Sequence, residues 1–150
     1  MNSDGGLNRG TGIQKPTTSG ALHARSDQAR RKRTVLVVDD LETMRAFLCE
    51  FLEDTGYQVL SATNGQEALE TADRFADGID LLLTDLEMPG MNGFALAEAL
   101  LMKRPRTRVL FISGEDSHYS FPTEKVRDRL FLKKPFGVDK LKAKIAETLA

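Results

Sequence analysis

The stretch LLLTDLEMPGMNG, residues 81–93, decides how this chain is read. Three leucines demand burial, Asp85 follows them after a single threonine, and Pro89-Gly90 turns the chain away. An unbroken apolar run closed by turn residues fits a strand covered on both faces, as in a parallel sheet. The carboxylate of Asp85 then stands at the carboxyl end of that strand.

The same pattern recurs on either side. TVLVVDD (34–40) is a β-branched run ending in Asp39 and Asp40, and ETMRAFLCEFLED (42–54) places Met44, Phe47, Leu48, Phe51 and Leu52 in a core-facing helical stripe. Gly56 reads as a helix stop, YQVLSA (57–62) as a strand, and NGQEALETADRF (64–75) as a helix capped by Asn64. NGFALAEALLMKR (92–104) is a third helix and TRVLFISG (107–114) a fourth strand. A loop and short helix are expected across 115–128, interrupted by Pro122. RLFLKKP (129–135) is a fifth strand, and GVDKLKAKIAETL (137–149) a last helix with Val138, Leu141, Ile145 and Leu149 on one face. Five strands alternating with five helices predict an open, doubly wound five-stranded parallel sheet with helices on both faces.

Composition limits the classes of function. The chain has 150 residues, a net charge of −1 and one cysteine, Cys49, which suits a reducing, cytoplasmic setting. It has neither an apolar run of membrane-spanning length nor a signal-peptide core, so no membrane association is expected. Residues 1–33 hold seven basic and two acidic residues, whereas 34–150 hold fourteen basic and twenty acidic. Rich in glycine and poor in large apolar residues, residues 1–32 read as a disordered basic leader, and 33–150 as the domain. Four basic residues at 30–33 without interleaved aromatics make a poor nucleic-acid signal.

Open α/β sheets bind ligands beyond the carboxyl ends of their strands. Asp39 and Asp40, Asp85, Ser113, and Lys133-Lys134 each follow a strand, so four of five strands deliver a polar group to one edge. One carboxylate there would be an ordinary helix cap; the convergence points to a site. Gathered carboxylates repel, which raises a pKa unless a cation joins them. Oxygen donors suit Mg²⁺, whereas His23, His118 and Cys49 are too scattered for a zinc site. A lysine and a hydroxyl beside such a cation are the parts of a phosphoryl clamp, and a carboxylate can be the nucleophile that forms an acyl phosphate. Asp85, on a middle strand, is the best candidate.

VLVVDD, LLLTDLEMPGMNG, VLFISG and FLKKPF, in this order and spacing, closely resemble the receiver domain of two-component response regulators across residues 34–149. The resemblance implies the flavodoxin-like strand order 2-1-3-4-5. It implies that Asp85 accepts a phosphoryl group from a histidine kinase or histidine phosphotransfer protein, with Mg²⁺ held by Asp40, Asp85 and the backbone carbonyl of Glu87, and by Asp39 through water. It makes Lys134 the phosphoryl-facing lysine, with Lys133 turned away by strand alternation. Ser113 takes the switch-hydroxyl position, where threonine is commoner, and Phe131 the switch-aromatic position. Such a domain is a phosphoacceptor rather than an ordinary enzyme, although it assists its own phosphorylation and dephosphorylation. Among receivers, this one looks most like those attached to hybrid sensor kinases. With no DNA-binding or other output domain expected, it would act by changing what protein it binds, or be a receiver detached from a larger kinase; the downstream target stays open. Magnesium-dependent aspartyl-phosphate phosphatases show an Asp-x-Asp pattern that Asp39-Asp40-Leu41 lacks, and the glycine-rich turn of a dinucleotide site is missing after the first strand. A pseudo-receiver is disfavoured by the complete set of acids, hydroxyl and lysine.

Overall fold

The structure is a computed structural model and describes residues 31–114 and 130–150. The leader up to residue 30 and the loop and short helix expected across 115–128 lie outside the described residues.

Five strands, β1 (Thr34–Val38), β2 (Gln58–Ala62), β3 (Leu81–Asp85), β4 (Arg108–Ser113) and β5 (Phe131–Lys133), alternate with helices. Among the described residues these are α1 (Glu42–Asp54), α2 (Gly65–Arg74), α3 (Gly93–Lys103) and α4 (Val138–Leu149). The strands pair in parallel in the order β2-β1-β3-β4-β5, the open doubly wound arrangement that the sequence implies. β1 and β3 are buried at every residue because helices cover both faces of the sheet.

Alternation along each strand divides the apolar side chains between two cores. Val35, Val37, Leu81, Leu83, Leu110, Ile112 and Leu132 meet α1 and α4 through Leu48, Leu52, Leu141 and Ile145. Leu36, Val38, Leu82, Phe111 and Phe131 meet α2 and α3 through Ala68, Ala72, Leu96 and Leu100. Each fully buried leucine contributes about 1.5–3 kcal/mol of transfer free energy, so the central strands hold the sheet and fix its register.

Helix ends follow local chemistry. Asn64 and Asn92 cap α2 and α3, accepting the backbone N–H of Glu67 at 2.8 Å and of Ala95 at 2.9 Å. Gly56, with φ +100°, ends α1 in the left-handed region that glycine adopts without strain. Arg33 Nη1 donates to Leu149 O at 2.7 Å and Arg108 Nη1 to Thr148 O at 2.9 Å, so two arginines serve the last carbonyls of α4.

Two details of the helical stripes differ from expectation. Phe47 is 39% exposed, lying at the margin of the α1 stripe and stacked on Phe51, while Leu48 and Leu52 take the core. Val138 is 48% exposed because it opens α4 nearly one turn before Leu141, the first buried residue of that helix. Among the described residues no helix is long and apolar enough to cross a membrane.

Candidate functional site

Register aligns the strand ends. Val38 lies beside Ala62 and Thr84, Asp85 beside Ile112, and Ser113 beside Lys133. Asp39, Asp85, Ser113 and Lys134 consequently leave the sheet along one edge. β2, at the margin of the sheet, ends in Ser61-Ala62 and brings no charge.

Asp39, Asp40 and Asp85 come together there, each offering an oxygen within 4.8 Å of the others. Asp39 is fully buried, Asp85 is nearly so, and Asp40 is exposed. None of the three caps α1, whose N-cap is Leu41 and has no side-chain cap bond. Asp39 Oδ1 accepts the Leu41 N–H at 2.9 Å, and its Oδ2 is buried without a hydrogen-bond partner. An orphaned buried acceptor beside two further carboxylates costs about 1–3 kcal/mol. A hard divalent cation would satisfy all three acids, so the donor set fits Mg²⁺.

Burial, more than any neighbour, pushes the pKa of both Asp39 and Asp85 up. Repulsion among the acids adds to this, from Asp40 on Asp39 and from Asp39 on Asp85, while Lys134 opposes it at both. Mutual repulsion, the cause the sequence suggests, is the smaller one; desolvation in the closed sheet edge is the larger.

Lys134 reaches into the site with its Nζ 3.7 Å from Asp85 Oδ1, and its backbone N–H donates to Ser113 O at 2.7 Å. That second bond ties the end of β5 to the end of β4. Lys133, at the end of β5, is exposed. Ser113 is buried at its strand end. Phe131 is buried too, stacked on Phe111 with ring centroids 5.2 Å apart and edge-on to Phe94 at 6.1 Å. Glu87 is exposed, and the backbone N–H groups of Glu87 and Leu86 favour the ionised form of Asp85. A groove of about 650 Å³ opens beside the acids, lined by Asp40, by Thr63 and Asn64 of the β2–α2 turn, by Gly65 and Gln66 at the start of α2, and by Pro89, Gly90 and Met91.

Three residues that sequence reasoning passed over also shape the site. A Cβ on Gly93 would lie 2.5 Å from Asp85 O and 3.0 Å from Leu86 Cα, so only glycine lets α3 start this close to the acid. The buried Thr84 hydroxyl donates to the same Asp85 carbonyl at 2.9 Å. Arg45 Nη1 donates to Asp39 O at 2.8 Å. Gly93, eight residues after a strand-end carboxylate and next to the Asn92 cap, was legible as a close approach; a side chain grasping a carbonyl six residues back leaves no sequence signal.

Comparison with known proteins agrees with this fold. The family model for the response regulator receiver domain matches residues 35–146. The response regulator receiver protein CpdR of Brucella abortus is 34% identical over 118 residues, a match covering 78% of this chain and 97% of that protein. The autoinducer 1 sensor kinase/phosphatase LuxN of Vibrio campbellii is 40% identical over 82 residues, which cover 55% of this chain but only 9% of LuxN. The chain therefore spans a small part of that relative. Among solved structures, the chemotaxis response regulator CheY4 of Vibrio cholerae superposes with a TM-score of 0.66 at 30% identity, covering 79% of this chain and all of that one. The receiver domain of the hybrid histidine kinase CckA superposes at 0.60 with 32% identity, covering 78% of this chain and 99% of that one.

Proposed function

The chain belongs to the response regulator receiver domain family, and we propose that it is a competent phosphoacceptor whose phosphorylation at Asp85 changes its affinity for a protein partner. One observation carries this reading: a buried carboxylate, Asp85, lies 3.7 Å from the ammonium of Lys134 and in one cluster with Asp39, whose Oδ2 is buried and unpaired. Acids packed this way without a task would only destabilise the fold.

The donor is a phosphohistidine on a histidine kinase or a histidine phosphotransfer protein. A carboxylate oxygen of Asp85 attacks phosphorus, the phosphorus–nitrogen bond breaks, and its electron pair stays on the imidazole. Lys134 offsets charge on the phosphoryl oxygens, and the Ser113 hydroxyl donates to one of them. Asp39, Asp40, Asp85 and the backbone carbonyl of Glu87 would hold Mg²⁺, which when bound offsets the remaining phosphoryl charge. Drawing the Ser113 hydroxyl toward the phosphoryl group changes the room available to Phe131, and that pair forms the readout.

The domain is residues 33–150, with 1–32 a leader not needed for the chemistry. Sensor kinases among the relatives support a kinase donor. The lone thiol of Cys49 fits a reducing cytoplasmic site of action.

Incubation of the full chain with acetyl phosphate, with Mg²⁺ or with EDTA, tests the proposal by intact mass. The expected result is one added phosphoryl group with Mg²⁺, none with EDTA, and none on Asp85→Asn. A chain that stays unmodified under all conditions is a binding module only.

A further inference from the structure

Asp39 and Asp40 lie just before α1, separated from it by Leu41, and this placement sets two roles in competition. A carboxylate before a helix is among the preferred N-cap groups, and the first-turn N–H groups draw negative charge. In this fold both acids instead turn into the cluster with Asp85, and Leu41 holds the N-cap position with no side-chain bond. Something other than capping must fix the β1–α1 turn.

Arg45 supplies that restraint. It lies in the first turn of α1, and its Nη1 reaches back to the Asp39 carbonyl at 2.8 Å in a partly buried bond. Its own backbone N–H donates to Leu41 O at 3.0 Å, so helix and side chain grip the turn from both ends. The Asp39 carbonyl is held by Arg45 and its Oδ1 by the Leu41 N–H, while its buried Oδ2 has no hydrogen-bond partner and the carboxylate sits in one cluster with Asp40 and Asp85. Two cations thus divide the edge: Lys134 pairs with the Asp85 carboxylate, and Arg45 holds the backbone of Asp39 at the end of β1.

We propose that Arg45 is a positioning residue for the acid cluster: its guanidinium clasps the Asp39 carbonyl and keeps the Asp39 and Asp40 carboxylates in the cation site rather than at the helix N-terminus. Arg45 acts through Asp39 and touches neither the cation nor the phosphoryl group. The inference rests on the reading of the site as an Mg²⁺-dependent phosphoacceptor.

The test uses the full chain with Arg45→Met and Arg45→Lys. Mg²⁺ affinity is measured by calorimetry without any phosphodonor, alongside thermal unfolding with and without Mg²⁺. Residues that orient ligands from behind change metal affinity by about 10–100-fold. Arg45→Met is accordingly expected to weaken Mg²⁺ binding about tenfold, with its metal-free unfolding temperature unchanged or higher, because the released acids can cap α1. Arg45→Lys, which can still donate to the carbonyl, is expected to recover part of the loss. Phosphoryl incorporation by Arg45→Met should return at saturating Mg²⁺. The inference is overturned if Arg45→Met binds Mg²⁺ within about twofold of the parent, if it unfolds earlier with unchanged Mg²⁺ affinity, or if Arg45→Lys is no better than Arg45→Met. A parent chain that neither binds Mg²⁺ nor takes a phosphoryl group overturns the functional reading itself. That failure is distinct from variants that match a competent parent.

Discussion

Asp39→Asn should make the metal-free protein more stable. The Asp39 carboxylate is fully buried, and its Oδ2 has no partner while carboxylate oxygens of Asp40 and Asp85 lie within 4.8 Å. Asparagine keeps an oxygen to accept the Leu41 N–H and replaces the orphan acceptor with an N–H₂, a donor group in a cluster of carboxylates. Removing an unsatisfied buried acceptor recovers about 1–3 kcal/mol, and deleting a charge from a desolvated site acts in the same direction. With an unfolding entropy of about 2.1 cal/mol/K per residue, each kcal/mol raises Tm by roughly 4 °C in a domain of this size. The expected gain is thus about 4–12 °C at neutral pH in EDTA.

The pH profile supplies the sign. Asp39 and Asp85 have folded pKa values above those of the unfolded chain, so between the two values the folded state holds protons that the unfolded state has released. Stability therefore falls as pH rises from the ordinary carboxylate range through the raised values, and the penalty is complete above them. Asp39→Asn should flatten that fall. Mg²⁺ reverses the penalty in the parent, by about 1.4 kcal/mol at tenfold its Kd, and should do much less in the variant. Calorimetric melts from pH 4 to 8, with EDTA or Mg²⁺, provide the assay. A variant that melts below the parent in EDTA at neutral pH, yet gains as much from Mg²⁺, would refute the reasoning.

Lys134→Ala should impair phosphorylation-dependent switching more than Mg²⁺ binding, whereas the exposed Lys133 should tolerate alanine; NMR with the phosphoryl mimic beryllofluoride separates the two, and equal effects would mean the strand register is wrong. Gly93→Ala should cost more than about 2 kcal/mol in a denaturant melt, since backbone atoms at 2.5 and 3.0 Å must move to admit the methyl group; a cost below about 0.5 kcal/mol would show that α3 slides freely. Glu87 is exposed two residues after Asp85, and on the proposed function its carboxylate would orient the attacking water. Glu87→Lys should therefore lengthen the phosphorylated lifetime about tenfold, equivalent to about 1.4 kcal/mol of barrier, read as decay after donor removal; unchanged or faster decay leaves Glu87 a solvated charge.

Strand ends were the legible part of this site. An apolar run such as Val35–Val38 or Leu81–Leu83 must be buried, parallel pairing then aligns the ends, and every polar residue after a run arrives at one edge. The resemblance to the receiver family picked out Lys134, and strand alternation turned Lys133 to the other face. Burial at stripe margins was not legible, because a 3.6-residue period tells which face is apolar and not how far the sheet extends beneath it; Phe47 and Val138 lie where coverage ends. Nor did the sequence reveal that Phe94 and Phe111, from α3 and β4, close rings around Phe131. Contacts between elements distant in the chain have no local period. The same holds for Arg45, whose place in the polar half of α1 reads as an ordinary solvated charge until the turn before it is seen in three dimensions. The relative weight of desolvation and repulsion at Asp39 depends on how closely the loops shut the edge, which only coordinates supply.

The central claim is that Asp85, alone among three clustered acids, takes the phosphoryl group. Borohydride reduction of the chain after treatment with a small phosphodonor and Mg²⁺ converts an aspartyl phosphate to homoserine, and tandem mass spectrometry of the peptides locates it. The account predicts homoserine at residue 85 and nowhere else, lost when EDTA replaces Mg²⁺. Homoserine at residue 39 or 40, or at none of the three, would contradict it.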